Sequence, residues 1–310
     1  MPVGVATAGM PISMFFWKRL PKFQYLAPKT IEEAASILGD LKDQAKIMAG
    51  GTDILVQMKN REITPAYLVG IKNISSLDYI EYGQNEGFRF GALSTVGSIE
   101  NSSLIQKKYN ILAQAVRSMA STQIRNVATI AGNLCSAVPS ADTAPALLVS
   151  GAKLKLRSNR GIRFVPIEEF FTGPRQTVLR EDELLAEIQV PDLASGNKGV
   201  YLRHGLRKAM ALASASVAVM MNSEDQYCKD IKIALGAVAP VPRRATGAEV
   251  VLRGQYLDDE LIAEAARVAS EEAQPISDIR ASADYRRELV RILTARAIKQ
   301  ACGKTKGMVV

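Results

Sequence analysis

Two adjacent glycines, Gly50 and Gly51, interrupt the stretch KIMAGGTDILVQMK where a short apolar run gives way to a polar-capped helical pattern. The first N–H groups of a helix have no intrahelical partner, and the helix dipole favours negative charge there. Side-chain-free backbone at such a mouth can receive an anion. A second glycine-containing stretch, ATIAGNLCSAVPSADTAPALLV from Ala128 to Val149, follows about eighty residues later. Ala131, Gly132, Ser136, Ala137, Ser140 and Ala141 are small and let a backbone approach a ligand closely. Asn133, Ser140 and Asp142 supply the few fixed polar groups a pocket needs. The same pattern also suits a tight turn feeding a buried helix.

An extended polar ligand would engage both stretches. A dinucleotide is the natural candidate, because its pyrophosphate takes backbone N–H donors and its rings take small, close walls. No G-x-G-x-x-G follows a strand anywhere in the chain, so a Rossmann reading fails. The three cysteines, Cys135, Cys228 and Cys302, are far apart in sequence with no C-x-x-C. They are too few for a four-cysteine iron–sulfur cluster and frame no zinc site. His204 is the one histidine, which removes most triads and histidine-rich metal centres. No catalytic acid or base and no metal ligands are read from the chain, so redox work requires an organic cofactor.

At 310 residues the chain can build two cores, since single cores stop growing near ~250–300 residues. With 47% hydrophobic and 23% charged residues it reads as globular. No segment has the ~18 uninterrupted apolar residues of a membrane span. The opening MPVGVATAGMPIS lacks the positive end and long apolar stretch of a signal peptide. Residues 1–13 are therefore read as an extension, Met14 as the start of folded sequence, and the location as cytoplasmic. The net charge of +8 is spread among acids, as in YRRELVRILTARAIKQ, with no basic run interleaved with aromatics. It indicates a solvated surface or a docking face for an acidic partner, not a nucleic-acid site.

Several elements can position these residues. Thr30 and Glu33 form a capping box, Ile31, Ala34, Ala35 and Leu38 share a helical face, and Gly39 is the expected stop. AKIMAG reads as a buried strand, TDILVQMKN as a helix capped by Thr52 or Asp53, and AYLVGI as a strand. This alternation implies a small α/β unit with parallel strands. GFRFGAL alternates like a strand, and Leu104 to Met119 reads as one helix with Leu112, Ala115, Val116 and Met119 inward. AKLKLRS, IRFVPI and ELLAEIQV read as strands, and Pro191 with ASGNKG as a linker. The last third is α+β, with strands through VYLRHGLRKAMALASASVAVMMN and KDIKIALGAV. Helices Asp258 to Ala273 and Ala283 to Ala301 follow, the latter turning Leu289, Ile292 and Leu293 inward.

In these stretches the sequence resembles the flavin-binding medium subunit of the molybdenum hydroxylases, the xanthine dehydrogenase and carbon monoxide dehydrogenase family. The resemblance runs from Met14 to about Ala301. It rests on AGGTDILVQMK, TIAGNLCSAVPSADTAPALL and RKAMALASASVAV in that order. It implies an α+β fold: a two-subdomain FAD-binding domain of the vanillyl-alcohol-oxidase (PCMH) type, then a C-terminal α/β domain with a small antiparallel sheet and helices. The boundaries expected are 14–192 for the FAD domain, divided at about 14–72 and 73–192, and 196–303 for the C-terminal domain.

The resemblance also assigns residues. Its pyrophosphate loop falls on Ile47, Met48, Ala49, Gly50, Gly51, Thr52 and Asp53, followed by Ile54. Its second loop falls on Thr129, Ala131, Gly132 and Asn133, where Ala131 departs from the usual glycine, and Asp142 takes a position that holds a polar part of the cofactor. Met119 matches a wall position, Arg203 stands where the family often has lysine, and Leu212 lies where a side chain covers one side of the flavin. Leu185 and Ile188 are expected to line the same cavity. With no histidine or cysteine positioned as a tether, the FAD is expected to be noncovalent. Implied partners are an iron–sulfur small subunit carrying [2Fe-2S] clusters, a large molybdopterin subunit, and an external acceptor such as NAD, ferredoxin or a quinone. The organic substrate would react at molybdenum on the large subunit. Two other readings stay open: a self-contained FAD-dependent oxidoreductase, and a scaffold subunit that has lost FAD.

Overall fold

The computed structural model describes residues 19–207 and 210–304. The expected extension, Met14, and Lys208 and Ala209 of the third motif lie outside the described residues. The first unit runs β1 (Gln24–Leu26), α1 (Ile31–Leu41), β2 (Ala45–Met48), α2 (Ile54–Lys59) and β3 (Tyr67–Gly70). All its strand pairings are parallel, in the order β1-β3-β2. Thr30 Oγ1 accepts from the Glu33 N–H at 3.1 Å, as the capping box requires. The Glu33 carboxylate returns the bond one residue earlier than expected, at the Lys29 N–H. Gly39 does not stop α1. The helix continues to Leu41, whose side chain packs on the core, and it is Lys42 that turns to φ +47°. One more apolar contact outweighs the local preference of glycine for a helix end.

The next unit contains β4 (Ile80–Gly83), β5 (Gly87–Gly91), α3 (Val96–Asn101), α4 (Ser103–Lys108), α5 (Asn110–Arg117), α6 (Thr122–Arg125), α7 (Ile130–Cys135) and α8 (Thr143–Val149). It closes with β6 (Lys153–Ser158), β7 (Gly161–Pro166), β8 (Phe171–Gly173), β9 (Gln176–Thr177) and β10 (Leu184–Val190). Five of its strands form an antiparallel sheet, β4-β5-β10-β6-β7, while β8 and β9 pair by themselves. The single helix expected over Leu104 to Met119 is broken at Tyr109, which takes φ −139° and ψ 49°. Its ring is buried against Phe88, with centroids 6.0 Å apart, and its hydroxyl reaches the Ala146 carbonyl. Burying this aromatic takes its backbone out of the helical region.

The last unit is β11 (Asn197–Gly205), β12 (Ala213–Glu224), β13 (Tyr227–Gly236), β14 (Arg243–Arg244), α9 (Thr246–Leu252), α10 (Asp259–Glu272) and α11 (Ala283–Ala301), with one antiparallel sheet in sequence order. Residues Asn197 to Gly199, read as linker, already belong to β11. β12 is buried along nearly its whole length because both of its faces are covered. Ala218 and Met220 join the core of the preceding units, whereas Val217, Val219 and Met221 join the core under α9, α10 and α11. α5 lies on β11, and α8 on β12 and β13. At Gly199 an added Cβ would sit 2.7 Å from Ile111 Cβ, so glycine admits the close approach of α5. In α11 the inward face carries Leu289, Val290, Leu293, Ala297 and Ile298; Ile292 is only half-buried. No helix among the described residues is long and apolar enough to cross a membrane.

Candidate functional site

A cleft of about 790 Å3 opens where the first α/β unit meets the helices of the second and the β11–β12 connection. Its first wall is the β2–α2 turn, contributing Ile47, Ala49, Gly50, Gly51, Thr52 and Asp53, with Ile54 behind them. Gly51 holds φ +77°, and a Cβ there would meet Leu55 Cδ1 at 3.2 Å. Gly50 has a different reason. A Cβ on it would fall 1.9 Å from the Val127 carbonyl oxygen and 2.7 Å from the Val127 carbonyl carbon. The second loop's backbone thus lies directly against Gly50, and the two glycine-containing stretches form one surface. Neither Thr52 nor Asp53 caps α2 with its side chain, contrary to expectation. The first intrahelical bond joins the Leu55 N–H to the Gly51 carbonyl, so the N–H groups of Thr52, Asp53 and Ile54 have no acceptor among the described residues. Burial raises the Asp53 carboxyl, and the Arg175 charge partly offsets this.

The second wall carries Thr129, Ala131, Gly132, Asn133 and Asp142. Thr129 caps α7, its Oγ1 accepting from the Gly132 N–H at 3.0 Å. The Ala131 methyl is accommodated in the core beneath the cleft. Asn133 Oδ1 accepts from Thr143 Oγ1 at 2.6 Å, and its amide nitrogen has no acceptor among the described residues. Asp142 is buried. Its Oδ1 accepts from the Tyr201 hydroxyl at 2.6 Å and its Oδ2 from Arg203 Nη1 at 3.2 Å. Burial pushes its carboxyl up to about 6, and the Arg203 charge and the Tyr201 hydrogen bond keep it from rising further. The Tyr201 hydroxyl is pushed well above its usual value, first by burial and then by the Asp142 charge, so it remains a donor.

Met119, Leu185 and Leu212 complete the walls, and Leu212 is half-exposed. Three expected residues do not reach the cleft. Met48 packs behind the turn, where a Cβ on Gly51 would lie 3.5 Å from its Sδ. Ile188 is fully buried in β10 between Phe90 and Leu154, further along the strand than Leu185. Arg203 stands behind Asp142 rather than beside the cavity.

The cleft also contains residues that the sequence reading missed. Arg175 comes from the β8–β9 turn at φ +60°; its N–H donates to the Ala137 carbonyl at 2.8 Å, and its guanidinium lies 3.6 Å from Glu62. The GPRQ turn was its only sequence signal. Cys135 lies on the wall too, contrary to the expectation that no cysteine is placed there, but burial pushes its thiol up to about 12, so little thiolate is present to attack a ring. His204 does not line the cleft; its ring meets Tyr285 edge-on. Among the described residues no three His, Cys, Asp or Glu side chains converge as a metal site would need.

The geometry fits an extended cofactor with an anionic centre. The volume is in the upper part of the ~300–1,000 Å3 typical of ligand sites. Free N–H groups sit at the glycine turn, and apolar walls flank it. Residues 21–193 match the family described as FAD binding domain in molybdopterin dehydrogenase, and residues 201–301 match the CO dehydrogenase flavoprotein C-terminal domain. The chain is 31% identical over 284 residues to the xanthine dehydrogenase FAD-binding subunit of Escherichia coli O157:H7, covering 91% of this chain and 97% of that one. It is 34% identical over 280 residues to the glyceraldehyde dehydrogenase medium chain of Sulfolobus acidocaldarius, covering 90% and 98%. The solved carbon monoxide dehydrogenase from Hydrogenophaga pseudoflava, in a form lacking the Mo-pyranopterin moiety of its molybdenum cofactor, superposes with a TM-score of 0.89 at 32% identity. That match covers 93% of this chain and 100% of the other. The glycine turn, the second loop and the sheet packed behind them therefore belong to an oxidoreductase subunit, and the chain is a member of the FAD-binding medium subunits of the molybdenum hydroxylases, the xanthine and carbon monoxide dehydrogenase family.

Proposed function

We propose that the cleft holds one FAD noncovalently. Through it the chain would pass electrons between [2Fe-2S] clusters of a small partner subunit and an external acceptor, while substrate reacts at molybdopterin on a large partner subunit. The observation that carries this reading is the contact at Gly50, which joins both glycine-containing loops into one wall beside three backbone donors that have no acceptor among the described residues. Thr52, Asp53 and Ile54 offer their N–H groups to the pyrophosphate, and Arg175 adds a positive charge near the same turn. Asn133 offers its amide and Asp142 its remaining lone pairs to cofactor hydroxyls. Met119, Leu185 and Leu212 supply apolar wall and exclude water. FAD, when bound, accepts electrons singly or in pairs, which lets it join one-electron centres to a two-electron acceptor. The domain division at residues 14–192 and 196–303, a cytoplasmic location and assembly as a heterotrimer form part of the same reading.

Acid precipitation of the purified chain tests it. All yellow colour is expected in the supernatant at one flavin per chain, while flavin retained in the pellet would contradict the noncovalent claim and implicate Cys135. A second expectation concerns Asp142. Losing a hydrogen bond to a charged acceptor costs about 1.5–3 kcal/mol, so Asp142→Ala should weaken FAD binding by about ten- to a hundredfold. Excess FAD should restore dithionite reduction of the bound flavin. A saturated variant whose flavin cannot be reduced would instead give Asp142 a direct role in electron transfer.

A further inference from the structure

The largely buried guanidinium of Arg203 touches three segments of the cleft wall without entering the cleft. Its Nη1 donates to the carbonyl of Ser118, the residue before Met119, and to Asp142 Oδ2; its Nη2 donates to the carbonyl of Ala211, the residue before Leu212. Met119, Asp142 and Leu212 all line the cleft. Tyr201 stands two residues before Arg203 on β11, hence on the same face of the sheet, and its hydroxyl holds the other Asp142 oxygen. We propose that Arg203 is a positioning residue for flavin binding: one guanidinium keeps Asp142 ionised and aligned while tying down the backbone beside Met119 and Leu212. This rests on the FAD reading above.

The residue type matters. Arginine presents five N–H donors in a planar fork, and here they serve three acceptors that approach from different segments. A lysine ammonium retains the charge but cannot reproduce that fork. The charge matters as well, because an ionised carboxylate in a buried site is costly without a partner. Among the described residues, the charged or titratable groups acting on Asp142 are Arg203 and Tyr201, both from β11. Ser118 at the end of α5 presents only its carbonyl, and Asn133 and Thr143 on α7 and α8 are uncharged and bonded to each other. Tyr201 stays protonated, so among the described residues Arg203 supplies the positive charge on this carboxylate.

A pH dependence follows from the sign of these effects. Only the ionised carboxylate offers all its lone pairs to cofactor hydroxyls, so binding strength is present above the Asp142 pKa and lost as pH falls through it. In the native chain burial has already raised that pKa to about 6. Removing the guanidinium moves it further upward, so the loss of binding moves into the neutral range.

FAD titration of the full-length chain followed by flavin fluorescence, from about pH 5 to about pH 9, tests this, with circular dichroism reporting the fold. The native chain should lose affinity below about pH 6, as its buried carboxyl protonates. Arg203→Gln should move the midpoint up by ~1 unit or more, binding about tenfold more weakly at neutral pH and recovering in alkali. Arg203→Lys, which keeps the charge, should remain within about half a unit of native. A folded Arg203→Gln chain with native affinity and midpoint overturns the proposal. Should that variant not fold, Arg203→Lys decides: a midpoint near native supports the charge role, and one shifted by about a unit or more contradicts it. A native chain that takes up no FAD at any pH overturns the FAD reading and this proposal with it, a result distinct from an unshifted midpoint.

Discussion

Gly51→Val is expected to abolish FAD binding in a chain that still folds, and Gly50→Ala to do so by a different route. Gly51 sits at φ +77°, where a β-branched residue is a genuine outlier, and its Cβ would press on Leu55 at 3.2 Å. The valine side chain would also crowd the turn whose N–H groups are proposed to receive the cofactor. At Gly50 the obstacle is backbone: a methyl 1.9 Å from the Val127 oxygen cannot be relieved by a rotamer change, so the two loops must separate. Val127 and Ala128 lead directly into Thr129, the cap of α7, and the Ala128 carbonyl is bound by the Val96 N–H at 2.8 Å. Parting the loops therefore displaces Thr129 to Asn133 as well. Each variant should lose at least about a hundredfold in FAD affinity. Gly50→Ala should in addition lose about 2 kcal/mol or more of stability, as overpacked sites do. Flavin content after desalting, with circular dichroism on the same samples, reads both effects. A folded Gly51→Val chain with native flavin content would show that the cofactor does not use this turn.

Gly50 also marks how far sequence reading reached. The residue was identified, but the reason given for it was ligand approach, and its tightest contact is with Val127, about seventy-five residues further along the chain. No local pattern records a long-range approach of two backbones. The elements themselves were more legible, because apolar period, caps and turn residues are local signals. The Thr30 half of the capping box and the parallel pairing of β2 with β3 formed as expected. The errors came where tertiary burial overrode them. Leu41 extended α1 past Gly39, Tyr109 split a helix, and α9 was missed because its seven residues carry too short a period to register.

At the cleft, the loop residues other than Met48 were legible because family likeness pointed to the same positions as helix-mouth chemistry on the first loop and small residues on the second. Arg175 was not, since a single arginine in a four-residue turn has no period and no motif around it. Arg203 was identified by position but misplaced: strand register puts it on the face that meets α5, where Ser118 and Asp142 engage its guanidinium before any ligand can. Ile188 was placed by resemblance alone, and it lies further along β10, enclosed between Phe90 and Leu154 in the core.

The isolated chain should bind FAD and be reduced by dithionite, yet remain inert toward any organic substrate of its complex. Its three cysteines and one histidine do not assemble a metal-binding group among the described residues. The Cys135 thiol stays protonated, its pKa pushed up to about 12, and Asp142 is occupied by Tyr201 and Arg203. On the proposed route electrons reach the flavin only from another polypeptide, so transfer requires docking. The net charge of +8 gives an acidic surface on that partner a basis for steering, one that weakens as salt is added. Rapid anaerobic mixing with substrate should therefore leave the flavin band near ~450 nm, a property of the cofactor, unchanged for the chain alone. Adding the cluster-bearing and molybdenum subunits should let the same substrate bleach that band, more slowly at high salt if charge guides docking. An isolated, metal-free chain that oxidises an organic substrate at a rate comparable to the assembled complex would remove the partner-dependent route and leave a self-contained flavin oxidoreductase in its place.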